Sequence, residues 1–287
     1  MPGAAAGYGP DIAKDRLPGL ARRLLRQAGK DRVTTNAASL AFHWFLAVVP
    51  GAIALIGAAD LSGLPQKRLQ SLLHGISVLL PATTAKVFEQ ALTSPGPRSS
   101  SVLALVFGGL VSLWANIEAA VALQFALDMA YETSGDRGFL ARRLRALALV
   151  GVTLVFGGGA FLLLIVGGPL GSLLAPAGGS WFHFLWTALR WVVGVACVVV
   201  LISLYDYLAP NREERRWRLL SVGGAVSTAL WLGIAACYSV YLDRVGHTSR
   251  AYGTFAGVIT LLVWLFLTAV AILLGAELNR ELERSRR

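Results

Sequence analysis

Apolar residues in this chain come in long continuous runs rather than in the alternation of a strand or the single stripe of a soluble helix. Six runs are long enough to cross a bilayer, which takes roughly 20 residues at about 1.5 Å each. They cover Ala37–Ala59, Val102–Leu127, Ala146–Gly168, Phe182–Tyr205, Leu219–Tyr241 and Thr254–Gly275. Transmembrane strands alternate polar and apolar positions over about 10 residues. Helices also satisfy their backbone groups without water. The pattern predicts an all-α polytopic membrane protein with six transmembrane helices.

Lys and Arg between the runs set the orientation. Lys14, Arg16, Arg22, Arg23, Arg26, Lys30 and Arg32 precede the first span. Arg137, Arg142, Arg143 and Arg145 follow the second, Arg212, Arg215, Arg216 and Arg218 follow the fourth, and Arg280, Arg284, Arg286 and Arg287 follow the sixth. The opposite side carries only Lys67, Arg68, Lys86, Arg98, Arg244 and Arg250. The positive-inside rule therefore places both termini in the cytoplasm, and the expected location is the bacterial cytoplasmic membrane. No cleaved leader is expected, because Met1–Ile12 has no basic-then-apolar pattern.

Two further segments carry a helical period. Leu17, Leu20, Leu24, Leu25 and Ala28 share one face, with Arg16, Arg22, Arg23, Arg26 and Lys30 largely turned away. This predicts a basic amphipathic helix resting on anionic headgroups, with a solvated tether as the alternative. Leu69, Leu72, Leu73, Ile76, Leu79 and Leu80 recur at helical spacing before Pro81. They predict a small helical cap on the outer surface between the first two spans. The expected organisation is a cytoplasmic segment over 1–33, a six-helix membrane domain over 34–276 with the outer loop at 61–100, and a cytoplasmic tail over 277–287.

Composition supports this reading. Of 287 residues, 55% are hydrophobic and 15% charged, against about 25% charged in soluble domains. A soluble enzyme or a disordered chain is excluded. The net charge of +10 is a topology signal, since the basic residues sit between spans, and nucleic acid is not the expected partner. Cys197 and Cys237 lie inside apolar runs and read as small buried hydrophobes.

Polar groups inside spans are the candidate chemistry, since ionisable residues there cost about 2.5–3.5 kcal/mol on insertion scales. Asn36, Ser39 and His43 form one stripe on the first span, and Pro50 beyond them should free the carbonyl of Leu46. Asn116 and Glu118 lie in the second span, Glu118 about 13 Å from the cytoplasmic edge and His43 about 9 Å from it. A Glu118–His43 pair is the expected contact. Arg190 lies about 12 Å from the outer edge, as an outward snorkelling anchor or a holder of an anionic headgroup. Tyr252 stands at the outer end of the sixth span. Tyr205, Asp206 and Tyr207 lie at the inner end of the fourth span, where the tyrosines read as an interfacial belt, and Glu277 near Arg280 reads as a surface ion pair. The first-span stripe has a structural alternative in helix–helix hydrogen bonding, and Glu118 one in a structural ion pair or hydrogen bond. Gly157-Gly158-Gly159 and Gly167-Gly168-Pro169 interrupt the third span, which suits either a broken helix or close packing.

Several motifs resemble the YihY/BrkB family of bacterial inner-membrane proteins, once named ribonuclease BN. They are Tyr252-Gly253-Thr254-Phe255-Ala256, Leu262-Val263-Trp264-Leu265 and Leu274-Gly275-Ala276-Glu277-Leu278, supported by Ser39-Leu40-Ala41-Phe42, Leu80-Pro81-Ala82-Thr83 and Pro210-Asn211-Arg212. The resemblance runs from about Asp31 to Leu282. Where the family usually has Ala-Leu-Asn, this chain has Ala126-Leu127-Asp128, so no role is carried over to Asp128. The resemblance implies six helices, cytoplasmic termini and a role in the cell envelope, virulence or lipid-precursor transport.

Other chemistry is missing from the sequence. Gly29-Lys30 is followed by Asp31, so there is no phosphate-binding loop. His43, His74, His183 and His247 are far apart, without metal-ligand spacing. Gly-x-Ser-x-Gly is absent. No cofactor, metal or catalytic group is expected. The expected function is a membrane transport protein without its own ATPase, moving a lipid or lipid-linked envelope precursor. The alternative is a non-transporting scaffold. Small-residue faces permit a homo-oligomer without demanding one.

Overall fold

A computed structural model describes residues 23–24, 26–61, 98–133, 137–167, 180–212, 221–245 and 253–284. The expected outer cap, Tyr252, and Leu17, Leu20 and Leu25 of the amphipathic segment lie outside these. Six helices are long and apolar enough to cross a membrane, and the described residues contain no strand. They are α1 (Val33–Leu61), α2 (Arg98–Ala130), α3 (from Phe139), α4 (Ser180–Leu208), α5 (Val222–Val245) and α6 (Gly253–Arg284).

The helices outrun the apolar runs that define them. A hydropathy window stops at charge, whereas Arg, Leu, Ala and Glu are all good helix formers. So α3 starts at Phe139 and carries Arg142, Arg143 and Arg145 on its first turns, not in a loop. Likewise α6 runs on through Glu277 to Arg284. The glycines of α3 widen the helix rather than break it. Thr153–Gly157 and Leu162–Val166 are π-helical turns on either side of Gly158–Phe161.

Neighbouring helices run antiparallel. At one end Asn36 of α1 reaches Met129 of α2, and at the other Ser101 of α2 hydrogen-bonds Asp60 of α1. Small residues let this pair approach closely. A Cβ on Gly108 would stand 2.7 Å from the carbonyl oxygen of Pro50, and one on Gly57 2.6 Å from that of Ser101. Pro50 lies inside α1, and ahead of it the carbonyl that takes a side-chain donor is that of Ala47, from the Ser112 hydroxyl at 3.1 Å. That is one position along from the expected Leu46. The α5–α6 pair is as close: Ser227 donates to the Ala271 carbonyl at 3.0 Å, and a Cβ on Gly275 would collide with Ser227.

The main core gathers at the end that carries the arginine-rich segments, called here the basic end. It joins Val33, Ala37 and Leu40 of α1 with Leu123 and Leu127 of α2, Leu149 of α3, Tyr205 of α4 and Leu273 and Ala276 of α6. Ala28, from the helical turns before α1, packs against it.

Candidate functional site

At the basic end five of the six helices, α2 to α6, are tied by a buried polar network. Its hub is Asn279 of α6, 8% exposed. The Asn279 Oδ1 accepts the backbone N–H of Gly223 at 2.8 Å. Its Nδ2 donates to Asp206 Oδ2 and Ser221 Oγ, each at 2.9 Å. One amide thus links α4, the start of α5 and α6. The Tyr131 hydroxyl lies 3.5 Å from the same nitrogen. Burial, and then the charge of Asp206, push this phenol well above its ordinary pKa, so it remains a neutral O–H. Asp206 is therefore a member of the network, and Tyr205, expected in an interfacial belt, is buried. Tyr205 is 4% exposed, its hydroxyl 2.7 Å from Thr153 Oγ1 on α3.

A second hub is Arg137, ahead of α3. Its Nε donates to Asn211 Oδ1 at 2.8 Å, and its Nη1 to the Ala209 carbonyl at 2.7 Å and to Gln124 Oε1 at 3.1 Å. Gln124 is fully buried in α2 and donates to the Arg142 carbonyl at 3.2 Å. Asp128 closes the arrangement. Its Oδ1 accepts the Asn211 backbone N–H at 2.6 Å and the Thr133 hydroxyl at 3.0 Å. The carboxylate thus ties the end of α2 to the Pro210-Asn211-Arg212 segment, while Thr133 donates to the Asp128 carbonyl at 3.2 Å. Arg212 lies over the Tyr131 ring at 3.4 Å and pairs with Glu283 at 3.1 Å.

Glu118 does not meet His43. It accepts Arg143 Nη1 at 2.7 Å, the two side chains 24% and 32% exposed. The expectation failed because Arg143 was counted as a loop residue; on the first turns of α3 it reaches back along α2. The His43 Nδ1 lies 2.7 Å from the Ser39 carbonyl on its own helix. Asn36 Nδ2 donates to the Asp31 carbonyl at 3.0 Å. The stripe of Asn36, Ser39 and His43 therefore makes mostly local contacts. Asn116 donates to the Ser112 carbonyl at 2.8 Å and lines a cavity of about 20 Å³ with Trp44, Thr153 and Tyr205. That is room for about one water.

Arg190 stands apart from this group. Its Cδ is 3.5 Å from where a Cβ on Gly167 would be, so it packs on the exit of α3. Its Nε is buried with no acceptor among the described residues. Glu277 is not at the surface. It is 1% exposed, and Arg280, its expected partner, donates instead to Glu132 at 2.8 Å. The helix continues past the apolar run there and turns this position toward the N-terminal segment.

The residues that sequence reading missed are Gln124, Tyr131 and Asn279; Arg137 entered only as a topology charge and Asp128 only as a departure from the family motif. Asn211 was quoted only within a motif. Each is an ordinary polar residue near a span end; Arg137 reaches Ala209 and Asn211, 72 and 74 positions away, and the partners of Asn279 lie 56 to 148 away. Among the described residues no group of three His, Cys, Asp or Glu side chains is placed to hold a metal.

A family model described as "Virulence factor BrkB" matches residues 24–287. The "Putative ribonuclease-like protein YfkH" of Bacillus subtilis is 26% identical over 88% of this chain and 91% of its own length. A "UPF0761 membrane protein" of Verminephrobacter eiseniae is 31% identical over 93% of this chain, and one of Delftia acidovorans 30% identical over 89%. This chain spans about three-fifths of the length of those two relatives, 62% and 60%. No solved structure matches. With six spanning helices and the match over nearly its whole length, this chain belongs to the BrkB family as a multi-pass inner-membrane protein.

Proposed function

We propose that the protein moves, or helps to export, a lipid or lipid-linked envelope precursor, without an ATPase of its own. The observation that carries this reading is the surface around Arg143. Arg142 and Arg143 stand on the first turns of α3 beside exposed Phe125, Phe139, Leu140 and Leu144. Arg142 lies 3.9 Å over the Phe125 ring. Guanidinium groups next to exposed apolar surface suit a headgroup phosphate and its chains together. Glu118 holds Arg143 in a partly exposed pair, so a phosphate can exchange with the carboxylate. Arg190, whose buried Nε has no described acceptor, is the corresponding candidate toward the other end of the bundle.

Native mass spectrometry of protein taken from phosphatidylglycerol nanodiscs tests the site. Wild type should retain the anionic lipid, while Arg143→Ala should lose most of it and Arg190→Ala part of it. Equal retention by wild type and Arg143→Ala would sink the reading. One observation favours a scaffold instead: the two cavities described are about 10 and 20 Å³, and Glu118 lines neither. Lipid retention without movement of labelled phosphatidylglycerol across proteoliposomes would decide for the scaffold.

A further inference from the structure

The sixth helix buries a carboxyl where no donor reaches it. Glu277 is 1% exposed, and both its oxygens lack a hydrogen-bond donor among the described residues. Gln27, which lines one small cavity with Glu277, donates to the carboxyl of Asp31 in the turn before α1, and Asp31 is the carboxylate whose charge weighs most on Glu277. Two ionised carboxylates are acceptors only, so neither can donate to the other. A hydrogen bond between them needs one of them to carry a proton. Asp31 Oδ2 has a donor, Gln27 Nε2 at 2.9 Å, whereas neither Glu277 oxygen has one, so the proton is placed on Glu277.

The surrounding charges relieve the pair only in part. Glu132, at the end of α2, is negative and holds Arg280 at 2.8 Å. Glu281, on α6, is negative and pairs with Arg23 at 3.7 Å. Arg280 is the cation nearest in charge terms, yet it donates to Glu132. Arg284 lines the same cavity of about 10 Å³, with Gln27, Glu132, Glu277 and Arg280. That volume admits about one water, enough for a proton to enter and leave.

We propose that Glu277 and Asp31 bind one proton between them, Glu277 donating to Asp31, and that this proton seats the N-terminal segment on the sixth helix. The segment is otherwise held by Ala28 on the core, by Gln27 to Glu132 at 3.3 Å and by the exposed Arg23–Glu281 pair. Losing the proton sets two like charges in contact, beside Glu132 and Glu281. The seat is therefore tight with the proton bound and loosens as pH rises. The proposal stands apart from the lipid reading, because its readouts need no lipid substrate.

Infrared difference spectroscopy of the full chain in nanodiscs reads the acid directly. Wild type should show a protonated carboxyl band at neutral pH that is lost in Glu277→Gln and kept in Glu118→Gln. Asp31→Asn gives Glu277 an amide donor, so the acid should ionise and the band should vanish there too. Hydrogen exchange reads the seat. Protection of residues 26–32, corrected for intrinsic rates, should fall at least tenfold in wild type as pH is raised across the loss of the band. It should stay flat in Glu277→Gln, whose amide keeps donating to Asp31. No neutral-pH band in wild type, a band that survives Glu277→Gln, or the same pH slope in both proteins would each overturn the proposal. Should Glu277→Gln fail to fold, the Asp31→Asn spectrum decides.

Discussion

Single residues at the basic end carry more than their sequence positions suggest. Asn279 satisfies an N–H, a carboxylate and a hydroxyl at once. Leaving a buried polar group without its partner costs about 1–3 kcal/mol. Asn279→Ala should therefore lower unfolding stability by about 2–4 kcal/mol, with more than one partner orphaned, as measured by denaturant titration in mixed micelles. Asn279→Asp should be no better, because it faces Asp206. Glu118 shows the converse. Its charge was visible in the sequence as an exception within a span, but its partner was not, because Arg143 joined it only once α3 was seen to begin at Phe139. Backbone strain is equally local: Arg32 has φ 50° and Glu132 φ 48°. A non-glycine residue in the left-handed region costs about 1–2 kcal/mol. Exposed Arg32 makes no side-chain contact that a glycine would forfeit among the hydrogen bonds described. Arg32→Gly should raise stability by about 1 kcal/mol in the same titration.

Between elements, closeness is set by the absence of side chains. A Cβ at Gly275 meets Ser227 and the Gly223 carbonyl, whereas one at Gly233 meets nothing within 4 Å. Gly275→Ala should destabilise the α5–α6 pair by about 1–3 kcal/mol or more through overpacking. Gly233→Ala should be neutral or stabilising by up to about 1 kcal/mol. Thermal unfolding of the two variants side by side checks the contrast. The small-residue faces that could serve a dimer are thus used, on α1–α2 and α5–α6, within one chain. The π-helical turns of α3 are also an element-scale result. Three consecutive glycines signal a weak point, but whether the helix breaks or widens depends on α4, against which Ala160 packs through Val198 and Ile202.

For the molecule as a whole, the polar network, the main core and the arginine-rich segments share one end. The charge bias predicts that this end is cytoplasmic. In a variant with Cys197 and Cys237 replaced by Ala, a cysteine at Lys30 or Arg284 should react with a membrane-impermeant thiol reagent only in inverted vesicles. Labelling in right-side-out vesicles would reverse the orientation. The described part of the N-terminal segment packs Ala28 onto protein, so it is at least partly a docked element. A lipid-resting face remains a proposal for the residues before it.

The sequence by itself determined the number of spans, their helical character and the location of the charges. Each follows from local composition read against the thickness and dielectric of a bilayer, and none requires knowing which helix neighbours which. Tertiary structure decided the pairings. Glu118 found Arg143, Asp128 found Asn211, and Glu277 was turned from the surface toward the N-terminal segment. A polar side chain at a helix end has the same local signal whether it meets water, lipid or a distant partner. Only the packing of six helices brings one of these to it.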